Sequence, residues 1–203
     1  MVNKMLHIFK KGKSDKTLLL LHGTGGDEYD LIDIGYYIDE NANILSLRGN
    51  VVESGMNRFF KRYAPGKYDL ESINDETVNL DKFIDEAVNE YNLDKSQITG
   101  LGYSNGANLL QSLAQQKGSV LNRWILFNPS YIKPNFLFQN LSGSKMFITT
   151  SKIDPFTTYE EQLSLQKALK EANADLTVFW SDHGHQLTQE SIQKAKIWFD
   201  DIH

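Results

Sequence analysis

The sequence of 203 residues contains no cysteine. Disulfide bonds, thiolate metal sites and cysteine nucleophiles are therefore excluded. The sequence also lacks an excess of positive charge, because 26 acidic side chains outnumber 21 basic ones and give a formal net charge of -5. Proteins that bind phosphate backbones or anionic lipid usually carry a broad basic surface, so we do not expect nucleic acid or a membrane surface as a partner.

Long apolar runs are also missing. The run from Leu18 to Leu21 is far shorter than the roughly 20 residues of a transmembrane helix. The N-terminal stretch MVNKMLHIFKKGK has no apolar segment of the kind found in secretory signals. The sequence therefore predicts a cytoplasmic protein without membrane insertion. Its length and its hydrophobic content of 40% predict one domain over residues 1–203.

Apolar runs alternate with amphipathic stretches, a pattern typical of an α/β protein with a mainly parallel sheet and helices on both faces. Most of the runs are continuous, as expected for strands that are buried on both faces. The predicted strands are Lys16 to His22, Asn43 to Leu47, Gln97 to Tyr103, Arg123 to Asn128, Lys145 to Thr150 and Leu176 to Ser181.

Apolar residues three and four apart predict four helices between and after these strands. One covers Glu76 to Asn92, and a second follows Ser104. A third begins after Thr158, which forms a capping box with Glu161, and the last begins after Thr188.

Two segments show neither the apolar runs of the predicted strands nor the helical spacing of apolar residues. Gly49 to Asn74 is much longer than an ordinary connection, and we predict that it is a substrate-facing loop. Pro129 to Ser144 is predicted to line the same side. A chain of this length has no room for a large cap domain as well, so a site on this side is expected to be shallow and open.

A motif at the end of the third predicted strand points to specific chemistry. Gly102-Tyr-Ser-Asn-Gly106 matches Gly-x-Ser-x-Gly, the turn that exposes a serine hydroxyl above the carboxyl edge of a sheet. A serine in a strained backbone conformation leaves no room for side chains two residues before and after it. The strand before and the helix after this motif favour a nucleophile at Ser104 over a tight turn with a capping serine.

A serine hydroxyl is a weak nucleophile, so it requires a base and a group that orients the base. His185 follows the last predicted strand, and Asp154 follows the strand before it. This chain order is the one expected when these loops converge over a parallel sheet. His185 would take the proton of Ser104, and Asp154 would fix the imidazole tautomer.

Alternatives remain for both partners. His183 lies two residues from His185 and could be the base, and Asp182 or Asp175 could supply the acid. The group formed by Asp182, His183 and His185 also resembles a small metal cluster. No histidine pair at helical spacing supports a zinc site, however, and no metal is expected.

The oxyanion formed during acyl transfer needs two fixed N–H donors. We predict that the N–H of Asn105, at the start of a helix, is one donor and that of Thr24, in the stretch LLLLHGTGGDE, is the other. The same stretch lacks the third glycine of a dinucleotide fingerprint and the lysine of a P-loop, so it does not predict a nucleotide cofactor. His22 is predicted to brace this loop, with contact to the substrate as the alternative.

Residues near the nucleophile are candidates for substrate contact. Tyr103 and Asn105 flank Ser104 and are expected to shape the pocket floor. In the segment 49–74, basic and aromatic residues interleave: Arg58, Lys61 and Arg62 with Phe59, Phe60 and Tyr63. The basic residues could attract an anionic ester, and Arg58 and Phe59 are candidates for binding. A solvated basic rim with the aromatic rings packed beneath it is the preferred interpretation.

The motifs HGTGGDE, LRG, RFF, GYSNGAN and GHQLT together resemble the bacterial carboxylesterase/phospholipase family of α/β-hydrolases, relatives of the acyl-protein thioesterases. The resemblance extends from about Thr17 to about Trp198. It implies an α/β-hydrolase fold and hydrolysis of carboxylic esters or thioesters through an acyl-enzyme, without a cofactor. It implies the triad Ser104, Asp154 and His185 and the oxyanion donors Thr24 and Asn105.

Three functions are therefore considered. The predicted one is a serine hydrolase that cleaves small, short-chain carboxylic esters. A thioesterase or lysophospholipase would differ only in the acyl and leaving groups, and a binding protein would keep the fold without the reaction. The complete set of motifs favours an enzyme with a small-molecule ester as partner, and a homodimer stays open.

Overall fold

The computed structural model describes residues 5–64 and 66–202. Its strands are β1 (His7–Lys10), β2 (Thr17–Leu21), β3 (Asn43–Leu47), β4 (Val51–Glu53), β5 (Met56–Arg58), β6 (Arg62–Ala64), β7 (Lys67–Tyr68), β8 (Ile98–Tyr103), β9 (Arg123–Phe127), β10 (Lys145–Thr150) and β11 (Asp175–Trp180). Its α-helices are α1 (Ile32–Ile38), α2 (Leu70–Tyr91), α3 (Asn105–Lys117), α4 (Tyr159–Glu171) and α5 (Gln189–Asp201).

The centre of the fold is a seven-stranded sheet in the order β1-β3-β2-β8-β9-β10-β11. All neighbouring strands in it are parallel except β1, which is antiparallel to β3. The six parallel strands are the six predicted from sequence, each within one residue at either end. Their carboxyl ends therefore meet at one edge of the sheet, where the predicted site residues follow them.

Helices pack on both faces of this sheet, as predicted. Successive leucines of β2 point to opposite faces, because side chains alternate along a strand. Leu19 and Leu21 join the core beneath α2, α3 and α4, whereas Leu18 and Leu20 join the core beneath α1 and α5. All four side chains are fully buried, which explains why this strand reads as a continuous apolar run.

The helix starts depend on side-chain caps. The capping box of Thr158 and Glu161 is present at the start of α4, and Thr188 caps α5 by accepting a hydrogen bond from the N–H of Ser191. The prediction for α2 is wrong at its start, since the helix begins at Leu70 rather than at Glu76. Asp69 caps it there, and the first turn carries too few buried residues to show a helical period.

The segment 49–74 differs from the predicted loop. It forms two short antiparallel hairpins, β4-β5 and β6-β7, followed by the first turn of α2. The segment 129–144 contains neither helix nor strand, as predicted. No large cap covers the sheet edge in the part of the chain that the structure describes. Nor does that part contain a helix with the length and apolar character needed to cross a membrane.

The irregular segment 129–144 holds a buried lysine. Lys133 is 3% exposed, and its ammonium group donates to Asn74 Oδ1 at 2.6 Å and to Ser112 Oγ at 2.9 Å. Both partners are uncharged, so the removal of the ammonium from water is not offset by an ion pair with either. Burial therefore lowers the pKa of Lys133 from 10.5 to about 8.

We expect Lys133→Met to raise the melting temperature at pH 7. Below about pH 8 the folded protein must bury a protonated ammonium, and this cost fades as the pH rises from about 8 towards 10.5. The advantage of the variant should be a few degrees at pH 7, since about 1 kcal/mol shifts the melting temperature by roughly 2–4 °C at this chain length. It should shrink at pH 9.5. Thermal denaturation at both pH values measures it, and an equal difference at both would contradict the explanation.

Candidate active site

Ser104 occupies the turn between β8 and α3 and has a φ of 50° and a ψ of -109°. This backbone conformation is strained for a residue other than glycine. A Cβ atom at Gly102 would lie 2.7 Å from the backbone nitrogen of Ala107. A Cβ atom at Gly106 would overlap the carbonyl group of Leu21 and lie 2.7 Å from the carbonyl oxygen of His22. The two glycines of the motif are therefore sterically required, as the sequence analysis predicted.

Gly106→Ala is expected to destabilise the fold by about 3 kcal/mol or more, because the added methyl group meets backbone atoms that cannot rotate away. Gly143→Ala is the control, since a Cβ there meets nothing within 4 Å and carries only the cost of a φ of +85°. Urea denaturation of both variants measures the difference. A loss at Gly106 no greater than that at Gly143 would contradict the steric explanation.

Ser104, His185 and Asp154 are connected by two short hydrogen bonds. Ser104 Oγ lies 2.7 Å from His185 Nε2, and His185 Nδ1 lies 2.7 Å from Asp154 Oδ2. Asp154 Oδ1 accepts a further hydrogen bond from the N–H of Phe156 at 2.8 Å, which fixes the carboxylate. The three side chains come from the turns after β8, β10 and β11, at the carboxyl edge of the sheet.

The loop that carries His185 is held from the floor of the site. The hydroxyl of Tyr103 donates to the carbonyl oxygen of His185 at 2.7 Å, and Asn128 Nδ2 donates to the carbonyl oxygen of Gln186 at 3.2 Å. The Phe156 ring meets the imidazole edge-on at a centroid distance of 4.7 Å. These contacts restrict the imidazole to the orientation in which it bridges Ser104 and Asp154.

The alternative acid and base residues lie away from this chain of hydrogen bonds. His183, Asp182 and Asp175 are exposed, and none of them lines the cavity at Ser104. Both ring nitrogens of His185 already have a partner. Within residues 5–64 and 66–202, no group of three or more histidine, aspartate and glutamate side chains could hold a metal ion.

The two predicted oxyanion donors line the same cavity as Ser104. Asn105 is the first residue of α3, so its N–H has no acceptor within the helix and lies at the positive end of the helix dipole. The loop of Thr24 is fixed to β5, because Gly25 N–H donates to the carbonyl oxygen of Asn57 at 2.9 Å. Asn57 Nδ2 in turn donates to the carbonyl oxygen of Gly26 at 2.8 Å.

His22 braces this loop, as the sequence analysis predicted. Its Nε2 accepts a hydrogen bond from the N–H of Gly49 at 3.0 Å, so its Nδ1 carries the proton and donates to the carbonyl oxygen of Gly23 at 2.6 Å. Burial lowers the pKa of His22 and favours this neutral form. His22 and Phe59 are both buried and do not line the cavity, which argues against direct contact with the substrate.

The cavity beside Ser104 has a volume of about 390 Å³. Of the predicted contact residues, Tyr103, Asn105 and Arg58 line it. Arg62, from the interleaved basic residues, lines it as well. Six lining residues were not named from the sequence as members of the site: Met56, Gly66, Tyr68, Asn108, Ser130 and Phe156. Among them, only the position of Phe156, two residues after the predicted acid, is a signal that the sequence offers.

The interpretation of the basic residues as a solvated rim is wrong for Arg58, which is 2% exposed. Its Nη1 donates to Thr24 Oγ1 at 2.6 Å, and its Nε donates to the carbonyl oxygen of Phe60 at 3.2 Å. Burial and the nearby charge of Arg62 lower the pKa of Arg58. Phe59 and Phe60 are fully buried, as predicted for aromatic rings that pack beneath the basic residues.

Comparison of the sequence with profiles of protein families shows the family of the chain. The sequence profile of the phospholipase/carboxylesterase family matches residues 4–202. The chain belongs to the phospholipase/carboxylesterase family. Membership in this family confirms the α/β-hydrolase fold and the resemblance found from the motifs, and it makes the chain a hydrolase of the carboxylesterase type.

Individual relatives and solved structures are similar to this chain over almost their full length. MhqD of Bacillus subtilis (strain 168) is 42% identical over 195 residues, which cover 96% of this chain and 98% of MhqD. The crystal structure of the Bacillus cereus carboxylesterase is similar with a TM-score of 0.96 and 41% identity, over 99% of this chain and 96% of that one. The structure of YahD with malic acid has a TM-score of 0.93 and 31% identity, over 98% and 100% of the two chains.

Proposed function

We propose that the chain is a serine esterase in which Ser104 is the nucleophile, His185 the base and Asp154 the residue that orients the base. The observation that supports this proposal is the unbroken path from Ser104 Oγ through both imidazole nitrogens to Asp154 Oδ2, with two links of 2.7 Å. A hydroxyl in hydrogen-bond contact with a fixed imidazole can lose its proton as it attacks a carbonyl carbon.

The reaction would proceed in two halves. Ser104 Oγ adds to the ester carbonyl while His185 Nε2 takes its proton, and the N–H groups of Thr24 and Asn105 bind the resulting oxyanion. Collapse of this intermediate expels the alcohol, which receives the proton from His185 and leaves an acyl-serine. Water then adds to the acyl-enzyme in the same way and releases the carboxylic acid. Asp154 stabilises the imidazolium in both halves.

We also propose that the substrates are small esters with short acyl chains. The cavity of about 390 Å³ lies at the low end of the range for small-molecule sites, and no large cap extends it among the described elements. Hydrolysis rates for p-nitrophenyl esters from acetate to palmitate, beside thioesters and lysophospholipids, test this part. A maximum at palmitate or at a lysophospholipid would contradict it.

Labelling with a fluorophosphonate tests the nucleophile. The reagent should add its mass to the peptide that contains Ser104, and Ser104→Ala should remain unlabelled. A binding protein with the fold but without the reaction would show no addition while remaining folded. Addition at a different serine would contradict the assignment.

Three properties of the whole molecule complete the proposal. Every strand of the central sheet lies between residues 7 and 180, which supports one domain over residues 1–203. A cytoplasmic location and a homodimer are proposed alongside it. Limited proteolysis, cell fractionation and sedimentation equilibrium, respectively, test these three properties.

A further inference from the structure

Two arginines line the cavity beside Ser104, and they share one carboxylate. Glu53 Oε1 accepts a hydrogen bond from Arg62 Nε at 3.1 Å, and Glu53 Oε2 lies 3.4 Å from Arg58 Nε. Glu53 itself does not line the cavity, and no aspartate or glutamate is among the described lining residues. Among the described residues, two arginines and no carboxylate therefore face the cavity, in a protein whose formal net charge is -5.

The two arginines differ in what their guanidinium groups already bind. Arg58 is buried and fixed, since it donates to Thr24 Oγ1 and to the carbonyl oxygen of Phe60. The Arg62 side chain is 21% exposed, and its one hydrogen bond within the described part of the chain uses Nε. Its two terminal nitrogens have no acceptor among the described residues. Arg62 thus keeps four N–H donors at the edge of the substrate cavity.

A structural role explains only part of this arrangement. The contact between Arg62 Nε and Glu53 joins the hairpin β6-β7 to the hairpin β4-β5. A lysine or a neutral donor could serve that purpose, and neither would leave a free planar fork beside Ser104. An arginine fork matches the geometry of a carboxylate, which can accept two parallel hydrogen bonds from it.

We propose that the preferred substrates are esters that carry a carboxylate and that Arg62 binds this carboxylate, with Arg58 as a fixed positive charge beside it. The inference rests on the proposed serine esterase reaction, because it places the ester carbonyl at Ser104. The aromatic rings of Tyr68 and Phe156 line the same cavity and suit the apolar part of such a molecule. Arg62 is therefore a specificity-determining residue.

Matched pairs of esters test the proposal. Mono-p-nitrophenyl adipate and p-nitrophenyl hexanoate have the same acyl length and differ by a carboxylate in the acyl part. 4-Carboxyphenyl butyrate and 4-carbamoylphenyl butyrate differ by a carboxylate in the leaving group. We expect kcat/KM to be about 10-fold higher for the anionic ester of one pair, mainly through a lower KM, as for a charge-assisted contact. The pair that shows the preference identifies the part of the substrate that meets Arg62.

Arg62→Gln should remove this preference, so that kcat/KM falls about 10-fold further for the anionic ester than for its neutral match. Arg62→Lys should restore part of it, because the charge remains and the fork is lost. The matched control is Lys61→Gln, which removes the same charge from the neighbouring exposed residue outside the cavity and should leave the preference unchanged.

The outcomes separate this inference from the proposed function. Hydrolysis of the neutral esters without a preference in either pair would overturn the inference and leave the esterase intact. Equal losses on both members of a pair in Arg62→Gln would also overturn it, since they would show a structural role alone. Absence of hydrolysis of every ester, together with no fluorophosphonate label, would instead contradict the proposed function.

Discussion

Ser104→Ala and His185→Ala are each expected to lower kcat by about a million-fold, because the proposed nucleophile and base would act as one unit and either loss disables the pair. Without Oγ no acyl-serine can form. His185 Nε2 lies 2.7 Å from Ser104 Oγ. Without the imidazole, the hydroxyl loses this acceptor for its proton. Steady-state and burst kinetics with p-nitrophenyl acetate measure both losses.

His183→Ala is the control for this prediction. His183 is exposed two residues from His185, so it has the same residue type and nearly the same place in the chain. The variant should keep most of the activity, since His183 does not line the cavity. A greater loss in His183→Ala than in His185→Ala would show that the base is wrongly assigned.

Asp154→Asn is expected to lower kcat by about ten-thousand-fold with little change in the fold. An asparagine can still accept the N–H of Phe156 through its oxygen, but its amide group then faces His185 Nδ1 as a donor. The imidazole would adopt the tautomer that carries its proton on Nε2. This nitrogen needs a free lone pair to deprotonate Ser104. The base would keep its position and lose its function.

Asp182→Asn provides the comparison, because Asp182 lies in the same loop as His185 and is exposed. We expect it to retain nearly full activity. Pre-steady-state measurement of acyl-enzyme formation distinguishes loss of the chemical step from loss of binding. A loss in kcat below about tenfold in Asp154→Asn would contradict the role given to the carboxylate. A buried acid that orients the catalytic base contributes a far larger factor to the rate.

The elements that the sequence predicts well are those with a strong local signal. The six parallel strands are continuous apolar runs because both of their faces are covered, and the caps of α4 and α5 depend on residues three apart. The strand β1 and the helix α1 were missed. β1 has four residues at a sheet edge, and α1 has seven residues with Gly35 inside it and no side-chain cap.

The residues of the candidate site also fall into those that the sequence predicts and those that it does not. Ser104, Asp154 and His185 follow strands whose carboxyl ends share an edge, so the topology brings them together and the order of the motifs is enough to name them. The positions of Arg58 and Arg62 depend instead on how the hairpins β4-β5 and β6-β7 fold over the cavity. No local period encodes that path, and for this reason the sequence favours a solvated rim for both arginines.

The loop of Thr24 and the hairpin β4-β5 are fastened to each other by Gly25, Asn57 and Arg58. The same strand thus supplies the wall that meets the substrate and the support for the loop proposed to bind the oxyanion. Sequence drift in this hairpin cannot alter selectivity without also disturbing the rate of bond cleavage. In related proteins that have adopted new substrates, we therefore expect paired changes in the hairpin and the glycine loop rather than isolated ones.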